Sequence, residues 1–185
     1  MLTTLAVVCV AIGFILLAIQ SKARSSLRKD ALDWMSNTGF HDFVIAFQPG
    51  DAIGVDYDTK RVALSSSGAN HILNFADIIS VEVAEDGATT SKTNRGGQVA
   101  GAAIGAIALG GVGAIIGGLS ASSTTKQKVS KVTINIITSS RDCPFFEIKV
   151  YSDQAVEKGG LVYNHVTKDL MPWYGRLRAV MESAE

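Results

Sequence analysis

The sequence predicts an α+β protein that combines an N-terminal transmembrane helix, a small antiparallel β-barrel and a C-terminal helix. Residues 2–19 form an uncharged apolar run, and residues 43–150 contain short segments in which apolar and polar side chains alternate. Residues 162–181 then return to helical spacing. A chain of 185 residues is long enough for one domain with appendages.

Charge and cysteine content exclude two broad classes of protein. The 17 basic and 17 acidic residues cancel, so no overall field attracts nucleic acid, and we expect no nucleic-acid partner. The chain has two cysteines, and Cys9 lies inside the apolar run, which leaves Cys143 without an obvious partner. A disulfide framework is therefore excluded.

The first predicted element is a transmembrane anchor over residues 1–21. The apolar run spans about 27 Å as a helix, which is just enough to cross the hydrocarbon core of a bilayer. A cleaved signal peptide is the alternative, but such peptides open with a basic segment, and no Lys or Arg precedes this run. The sequence therefore favours an uncleaved anchor.

Basic residues set the predicted orientation of this anchor. They all follow the apolar run, and they are Lys22, Arg24, Arg28 and Lys29. Positive charge collects on the cytoplasmic side of a membrane. We therefore expect a single-pass protein of the inner (cytoplasmic) membrane, with its C-terminal domain in the cytoplasm.

Residues 22–39 are predicted to continue the anchor as an amphipathic juxtamembrane helix. Leu27, Ala31, Trp34 and Met35 recur at helical spacing, and Gly39 supplies a stop signal. Trp34 faces either the membrane surface or the domain that follows, and the spacing leaves both possibilities open.

After Gly39 the pattern changes to short runs rich in β-branched and aromatic residues, which predict strands. The runs lie at residues 43–47, 53–57, 61–64, 71–75 and 78–84, and then at 132–136 and 146–150. Six or seven short strands followed by one amphipathic helix, in which Pro172 introduces a kink or restart, is the layout of a pleckstrin-homology-like barrel. We assign this domain to residues 40–87 and 128–185.

Residues 88–127 are predicted to be an insertion between two strands of that domain. Small residues recur there at every fourth position, in two rows: Gly97, Gly101, Gly105, Ala106, Gly110, Gly113, Ala114, Gly117 and Gly118. Such rows give a helix a narrow face that a second helix can approach closely, which is the glycine-zipper arrangement. Since glycine costs about 1 kcal/mol per residue in a water-exposed helix, the pattern indicates contact with lipid or with neighbouring chains.

The length of this glycine-rich stretch limits its topology. Two full helical crossings of a bilayer need about 40 apolar residues, which is more than the stretch contains. We therefore predict a re-entrant hairpin with its turn near Gly110, or a helical pair buried in an oligomer. The flanking basic residues, Lys92, Arg95, Lys126 and Lys128, suit a loop that returns to the cytoplasmic face. A pore-lining β-hairpin and a flexible linker are the alternatives.

Catalytic and cofactor motifs are weak. The glycine-rich stretch lacks the lysine of a phosphate-binding loop, and the three histidines have no metal-ligand spacing. We interpret Glu82, Glu85 and Asp86 as a solvated strand end rather than an acid–base pair. The sequence therefore predicts no enzyme, no cofactor, no metal site and no small-molecule substrate.

Residues 77–136 resemble a pattern in uncharacterised bacterial and prophage membrane-associated proteins. In that pattern a strand ending in Glu-Asp-Gly precedes a glycine zipper, a basic segment and an alternating Ile/Val strand. The matching positions here are Glu85-Asp86-Gly87, residues 113–118, Lys126, Lys128, Val132, Ile134 and Ile136. The resemblance implies a membrane-associated domain of the pleckstrin-homology-like kind, and it brings no known activity.

These observations favour a membrane-anchored, non-enzymatic scaffold that homo-oligomerises through the glycine-zipper hairpin. Its expected partners are membrane lipid and further copies of the chain. One alternative is a pore-forming or membrane-permeabilising effector that uses the same hairpin. Another is a lipid- or peptide-binding membrane adaptor.

Overall fold

The computed structural model describes residues 2–86, 88–94 and 128–184. It begins with one long helix, ends with another, and has its strands between them. The elements are α1 (Leu2–Asn37), β1 (Phe43–Ala46), β2 (Ala52–Asp56), β3 (Arg61–Ser66), β4 (Ala69–Asn74), a 3-10 turn (Phe75–Asp77), β5 (Ile78–Glu85), β6 (Ala88–Asn94), β7 (Lys128–Thr138), β8 (Phe145–Glu157) and α2 (Leu161–Glu182).

The strands form two four-stranded antiparallel sheets. Sheet A has the order β1-β2-β3-β4, and sheet B has the order β6-β5-β7-β8. This confirms the predicted α+β class with antiparallel strands and a C-terminal helix. Pro172 lies inside α2, which nevertheless runs from Leu161 to Glu182 as one helix.

The predicted β-barrel does not close, because in the described part of the chain no strand pairing joins the two sheets. Side chains of the β1–β2 connection hydrogen-bond to the backbone at the free edge of β8, where another strand would otherwise pair. The buried Asp51 carboxylate accepts a hydrogen bond from the Lys149 backbone N–H at 2.8 Å. The Gln48 side-chain amide donates to the Val150 carbonyl at 3.2 Å. The edge of β8 is thus capped by side chains instead of by another strand.

The main core lies between the two sheets and α2. Alternate residues of the strands point into it, such as Val81 and Val83 of β5 and Ile134 and Ile136 of β7, and all four are fully buried. Leu177 and neighbouring apolar residues of α2 complete it. Burial of each such side chain contributes about 1.5–3 kcal/mol, so the period-two pattern of the strands accounts for the stability of this layer.

A second apolar cluster docks the C-terminal half of α1 on the opposite face of sheet A. Ala31 and Met35 of α1, with Phe40, pack on three strand alanines, Ala46, Ala52 and Ala63. The small strand residues leave room for the helix to approach closely. Trp34 is half-buried against the same cluster, so this side chain packs partly on the domain.

The prediction of a transmembrane helix over residues 1–21 is not supported by the described residues. In that part of the chain, no helix is both long enough and apolar enough to cross a membrane.

Candidate functional site

The N-terminal part of α1 presents an exposed apolar surface, the apolar segment, at residues 12–19. Its large side chains are between 50% and 70% exposed: Ile12, Phe14, Ile15, Leu16, Leu17 and Ile19. Because these positions are nearly consecutive, they cover every side of the helix rather than one stripe. A contiguous apolar surface of this kind marks contact with a membrane or with another protein.

The predicted basic residues lie directly after the apolar segment, on the same helix. Lys22, Arg24, Arg28 and Lys29 are all exposed. Beyond them, Ala31 and Met35 are buried against sheet A. Helix α1 therefore carries, in order, an apolar segment, a basic segment and a docked segment.

A cleft of about 460 Å³ lies beside the basic segment, between β1, β8 and α2. Arg28 of α1, Phe47, Tyr151 and the α2 residues His165 and Asp169 are among its lining residues. Its lining suits a bound peptide or lipid headgroup, because apolar and charged side chains meet there.

The predicted glycine-zipper residues lie outside the described residues, as do Arg95 and Lys126. Lys92 lies within β6, and Lys128 is the exposed first residue of β7. Residues 88–94, which the sequence assigns to the insertion, thus form a strand at the edge of sheet B.

The two strands next to the glycine-rich stretch attach it to opposite ends of sheet B. Asn94, at the end of β6, pairs with Ser80, whereas Val132 of β7 pairs with Glu85. Five residue steps from Ser80 to Glu85, and four more from Val132 back to Lys128, separate the two attachment points by roughly 30 Å along the strands.

The solvated strand end predicted at Glu85 is instead buried, and Glu85 is only 6% exposed. The Tyr163 hydroxyl of α2 donates to Glu85 Oε1 at 2.6 Å. Lys158 Nζ lies 2.5 Å from Oε2, as an ion pair without the alignment of a hydrogen bond. Burial, and secondarily the bond to Glu85, raises the pKa of Tyr163 well above its usual value. This group ties α2 to the end of β5.

The neighbouring Asp86 ties the β5–β6 turn to β7. Its Oδ1 accepts hydrogen bonds from the Ser130 hydroxyl at 2.8 Å and from the backbone N–H groups of Ser130 and Lys131 at 3.0 and 2.9 Å. These bonds, that of the Ser130 hydroxyl first, hold the pKa of Asp86 below its usual value. The first strand after the glycine-rich stretch is therefore fixed to the turn before β6.

Two features of these sites were not predicted from the sequence. The small-residue surface under α1 could have been predicted, because Ala52, Gly54 and Ala63 alternate with large apolar residues in β2 and β3. The contact between Glu85 and Tyr163 could not have been predicted from local sequence, since Tyr163 lies 78 residues further along the chain. In the described residues, His, Cys, Asp and Glu side chains form no group of three that could hold a metal ion.

The chain matches a known protein family. The model of the family described as "Glycine zipper containing PH domain" matches residues 42–152, which is more than half of the chain. This confirms the resemblance that the sequence shows over residues 77–136. No solved structure is significantly similar to the chain.

Two phage-related proteins are similar to most of the chain. An immunity protein of Bacillus phage SPbeta is 28% identical over 148 residues, which cover 76% of this chain and 70% of the relative. The SPbeta prophage-derived uncharacterized membrane protein YomJ of Bacillus subtilis (strain 168) is also 28% identical over 148 residues, but these cover 62% of its length. The matched region thus spans less than two thirds of YomJ. Neither name is that of an enzyme.

Proposed function

Because the chain belongs to the family of glycine-zipper-containing PH domains, we propose that it is a membrane-anchored, non-enzymatic scaffold whose copies associate through the glycine-zipper residues. The observation that carries the proposal is the apolar segment of α1. It is exposed on all sides, while Ala31 and Met35 near the other end of the same helix are docked on the folded domain.

Insertion of the apolar segment into lipid removes six large apolar side chains from water. At about 1.5–3 kcal/mol each, this stabilises the membrane-bound state by roughly 9–18 kcal/mol. The four basic residues that follow add about 1 kcal/mol each beside an anionic lipid surface. Their position after the segment orients a single-pass anchor in the inner membrane, with the domain in the cytoplasm.

The docked segment of α1 makes this anchor a rigid one. Met35 is fully buried between α1 and sheet A, and Ala31 is 4% exposed. Since no flexible linker separates the basic segment from the docked segment, the domain is held at a fixed orientation to the helix. A fixed orientation suits a scaffold, because every copy presents the same surface to its neighbours.

The glycine-zipper residues supply the proposed contact between copies. Close helix packing needs a second small-residue surface, and an identical chain provides one. The relative named as a membrane protein supports the same location. The hairpin form of the stretch stays a prediction.

Membrane attachment is tested by placing charge in the apolar segment. We expect the double substitution Ile15→Glu and Leu16→Glu to move the protein from the lipid to the aqueous fraction in liposome flotation. A charged side chain costs about 2.5–3.5 kcal/mol at the centre of a membrane helix. The control Ile15→Leu with Leu16→Ile keeps the apolar surface and floats like the wild type. Equal flotation of the charged variant contradicts the anchor.

Self-association is tested by filling the small-residue rows. We expect Gly105→Leu or Gly113→Leu to convert the detergent-solubilised oligomer to monomer in size-exclusion chromatography with light scattering, because a bulky side chain keeps helices apart. Circular dichroism should show that the β domain stays folded. The control Ile104→Leu changes a large residue of the same stretch and leaves the oligomer intact. An unchanged oligomer in both glycine variants refutes the scaffold.

Three rival functions remain testable with the same protein. Dye leakage from liposomes is expected of a pore-forming effector and not of a scaffold. Binding of lipid headgroups or peptides in the cleft beside Arg28 is expected of an adaptor. The similarity to an immunity protein supports a role in immunity, which phage plating on cells with and without the chain tests directly.

A further inference from the structure

Strand β1 has one unpaired edge, and this edge lies in the cleft beside Arg28. β1 is the first strand of sheet A, and its pairing partner in the sheet is β2. The described residues that line the cleft include Ile45 and Ala46 of β1 and none of β2, so the cleft follows the edge that β2 leaves unpaired. Such an edge presents main-chain donors and acceptors to which a further strand can bond.

Two residues of β1 direct their main-chain groups towards this edge. The Phe47 N–H donates to the Asp51 carbonyl at 3.0 Å, which sets the phase of the β1–β2 ladder. Bonded residues alternate along an antiparallel ladder, so Ile45 bonds to β2, whereas the N–H and C=O groups of Val44 and Ala46 point away from it. The cleft therefore gives access to two pairs of main-chain donors and acceptors.

The surrounding contacts limit where an added strand can lie. Side chains of the β1–β2 connection already bond to β8 at Lys149 and Val150. At the far end of β1, the Arg176 guanidinium of α2 lies over the Phe43 ring, 5.1 Å from its centroid. An added strand is thus directed to the edge of β1, which is 4 residues long.

Helices α1 and α2 form the two walls of the cleft. The side chains of Val44 and Ala46 pack in the cluster under α1, whereas Ile45 packs on the main core, which α2 completes. The two helices therefore lie on opposite faces of sheet A, and a strand added to β1 lies between them. Its side chains would point alternately towards α1 and towards α2, because successive side chains of a strand face opposite sides.

The walls differ in chemistry. Val162, His165, Val166 and Asp169 share one face of α2 and line the cleft. His165 and Asp169 lie 3.9 Å apart and pair with each other, which leaves the two valines as an apolar contact surface. Arg28 on the α1 wall is exposed and has no ion-pair partner among the described residues. The cleft therefore matches a strand with apolar side chains towards α2 and a carboxylate towards α1.

The height of the cleft above the proposed membrane favours a peptide over a lipid headgroup. Arg28 follows Ile19, the last residue of the apolar segment, by roughly 14 Å along α1. The headgroup region on each side of a bilayer is only about 5–8 Å thick. With the anchor proposed above, the cleft opens beyond the headgroups.

We propose that the cleft is a peptide-binding site, in which an extended segment of a partner protein adds antiparallel to β1 and places an acidic side chain against Arg28. Main-chain bonds to Val44 and Ala46 supply affinity, and the two unlike walls supply specificity. The site goes beyond the scaffold function, because it recruits a different protein to the membrane-bound chain. This recruitment adds to self-association and does not replace it.

Fluorescence anisotropy with a defined peptide tests the site. The probe is a fluorescein-labelled peptide of sequence Thr-Val-Asp-Val-Thr-Val with blocked ends, added to the detergent-solubilised full chain. We expect saturable binding with a Kd below about 1 mM. Arg28→Glu should weaken binding at least about tenfold and favour a peptide with Lys in place of Asp, because the charge on the α1 wall is reversed. Lys29→Glu is the matched control, since Lys29 carries the same charge but does not line the cleft.

Methylation of the peptide's amide nitrogens tests strand addition itself. Directly paired residues of an antiparallel ladder share a face, so the peptide N–H groups that bond to Val44 and Ala46 belong to residues whose side chains face α1. Methylation at the Asp nitrogen should therefore abolish binding. Methylation at the following Val, whose N–H points away from β1, should change the affinity by less than about threefold.

Three results overturn the proposal when circular dichroism shows the variants folded. They are no saturable binding of the Asp peptide, equal effects of Arg28→Glu and Lys29→Glu, and equal effects of the two methyl groups. If dihexanoyl phosphatidylglycerol binds below its micelle concentration, depends on Arg28 and the peptide does not bind, the cleft is a lipid site instead. The oligomer measured with Gly105→Leu is a separate readout, so the scaffold and the peptide site can fail independently.

Discussion

Asp86 is a single residue whose hydrogen bonds join the β5–β6 turn to β7. It adopts a left-handed backbone conformation with φ 48°, which Asp tolerates better than most residues because its short side chain bonds locally. Its carboxylate accepts bonds from both Ser130 and Lys131, and its own N–H donates to the Lys131 carbonyl at 2.9 Å. One residue thus fixes where β7 starts relative to the β5–β6 turn.

We expect Asp86→Asn to lower the free energy of unfolding by about 1 kcal/mol at neutral pH, because charge-assisted bonds become neutral ones. The pKa of Asp86 is lowered in the folded state, so its contribution is fully present above the unfolded pKa of about 4 and is lost as the pH falls through the folded pKa. Urea unfolding over a pH series checks this.

The difference in unfolding free energy between the wild type and Asp86→Asn should therefore shrink towards zero in acid. Asp58→Asn, at an exposed turn carboxylate, is the matched control and should change the unfolding free energy by less than about 0.5 kcal/mol. A pH-independent difference at Asp86 would show that its charge has no part in the stabilisation.

At the scale of elements, the docking of α1 depends on the absence of a side chain at Gly54. A Cβ built there would lie 3.2 Å from Phe40 Cδ1 and 3.3 Å from Met35 Sδ. Glycine within a strand is often a site of close approach, and here it admits the helix end and the residue that follows it. The contact between α1 and sheet A is therefore set by the smallest residue of β2.

We expect Gly54→Val to lower the free energy of unfolding by about 1–3 kcal/mol, because it overpacks this contact. Limited proteolysis should then cut near Phe40, where the docked segment ends. Gly175→Ala is the control: its added Cβ meets nothing within 4 Å on an exposed face of α2, so it should stabilise by up to about 1 kcal/mol. Unchanged stability in Gly54→Val would mean that α1 docks loosely.

In the whole molecule, the two terminal helices differ in how they contact the folded domain. The apolar segment of α1 extends from the domain, whereas α2 closes the main core and is bonded to the end of β5 through Tyr163 and Glu85. The docked segment of α1 lies on the outward face of sheet A. In the scaffold that we propose, one folded domain carries both the apolar segment and the glycine-zipper residues.

Much of the fold follows from local pattern. The alternation in β7 and β8 predicts both strands, and the helical spacing after Val162 predicts α2, because each pattern repeats within a few residues. Strand β6 escaped prediction, since Ala88–Asn94 is polar on both faces and shows no period of two. Polar edge strands of this kind avoid pairing with other chains. Because they lack alternating apolar residues, they are also hard to predict from the sequence.

The sequence by itself determined the antiparallel strands, the C-terminal helix, the family resemblance and the existence of a small-residue stretch, because these depend on spacing and composition. Only the tertiary structure decided that two sheets replace a closed barrel, that Glu85 is buried against Tyr163, and that the stretch is attached at opposite ends of sheet B. Strand order and buried polar contacts join residues far apart in the chain, and no local pattern encodes which distant residues will meet.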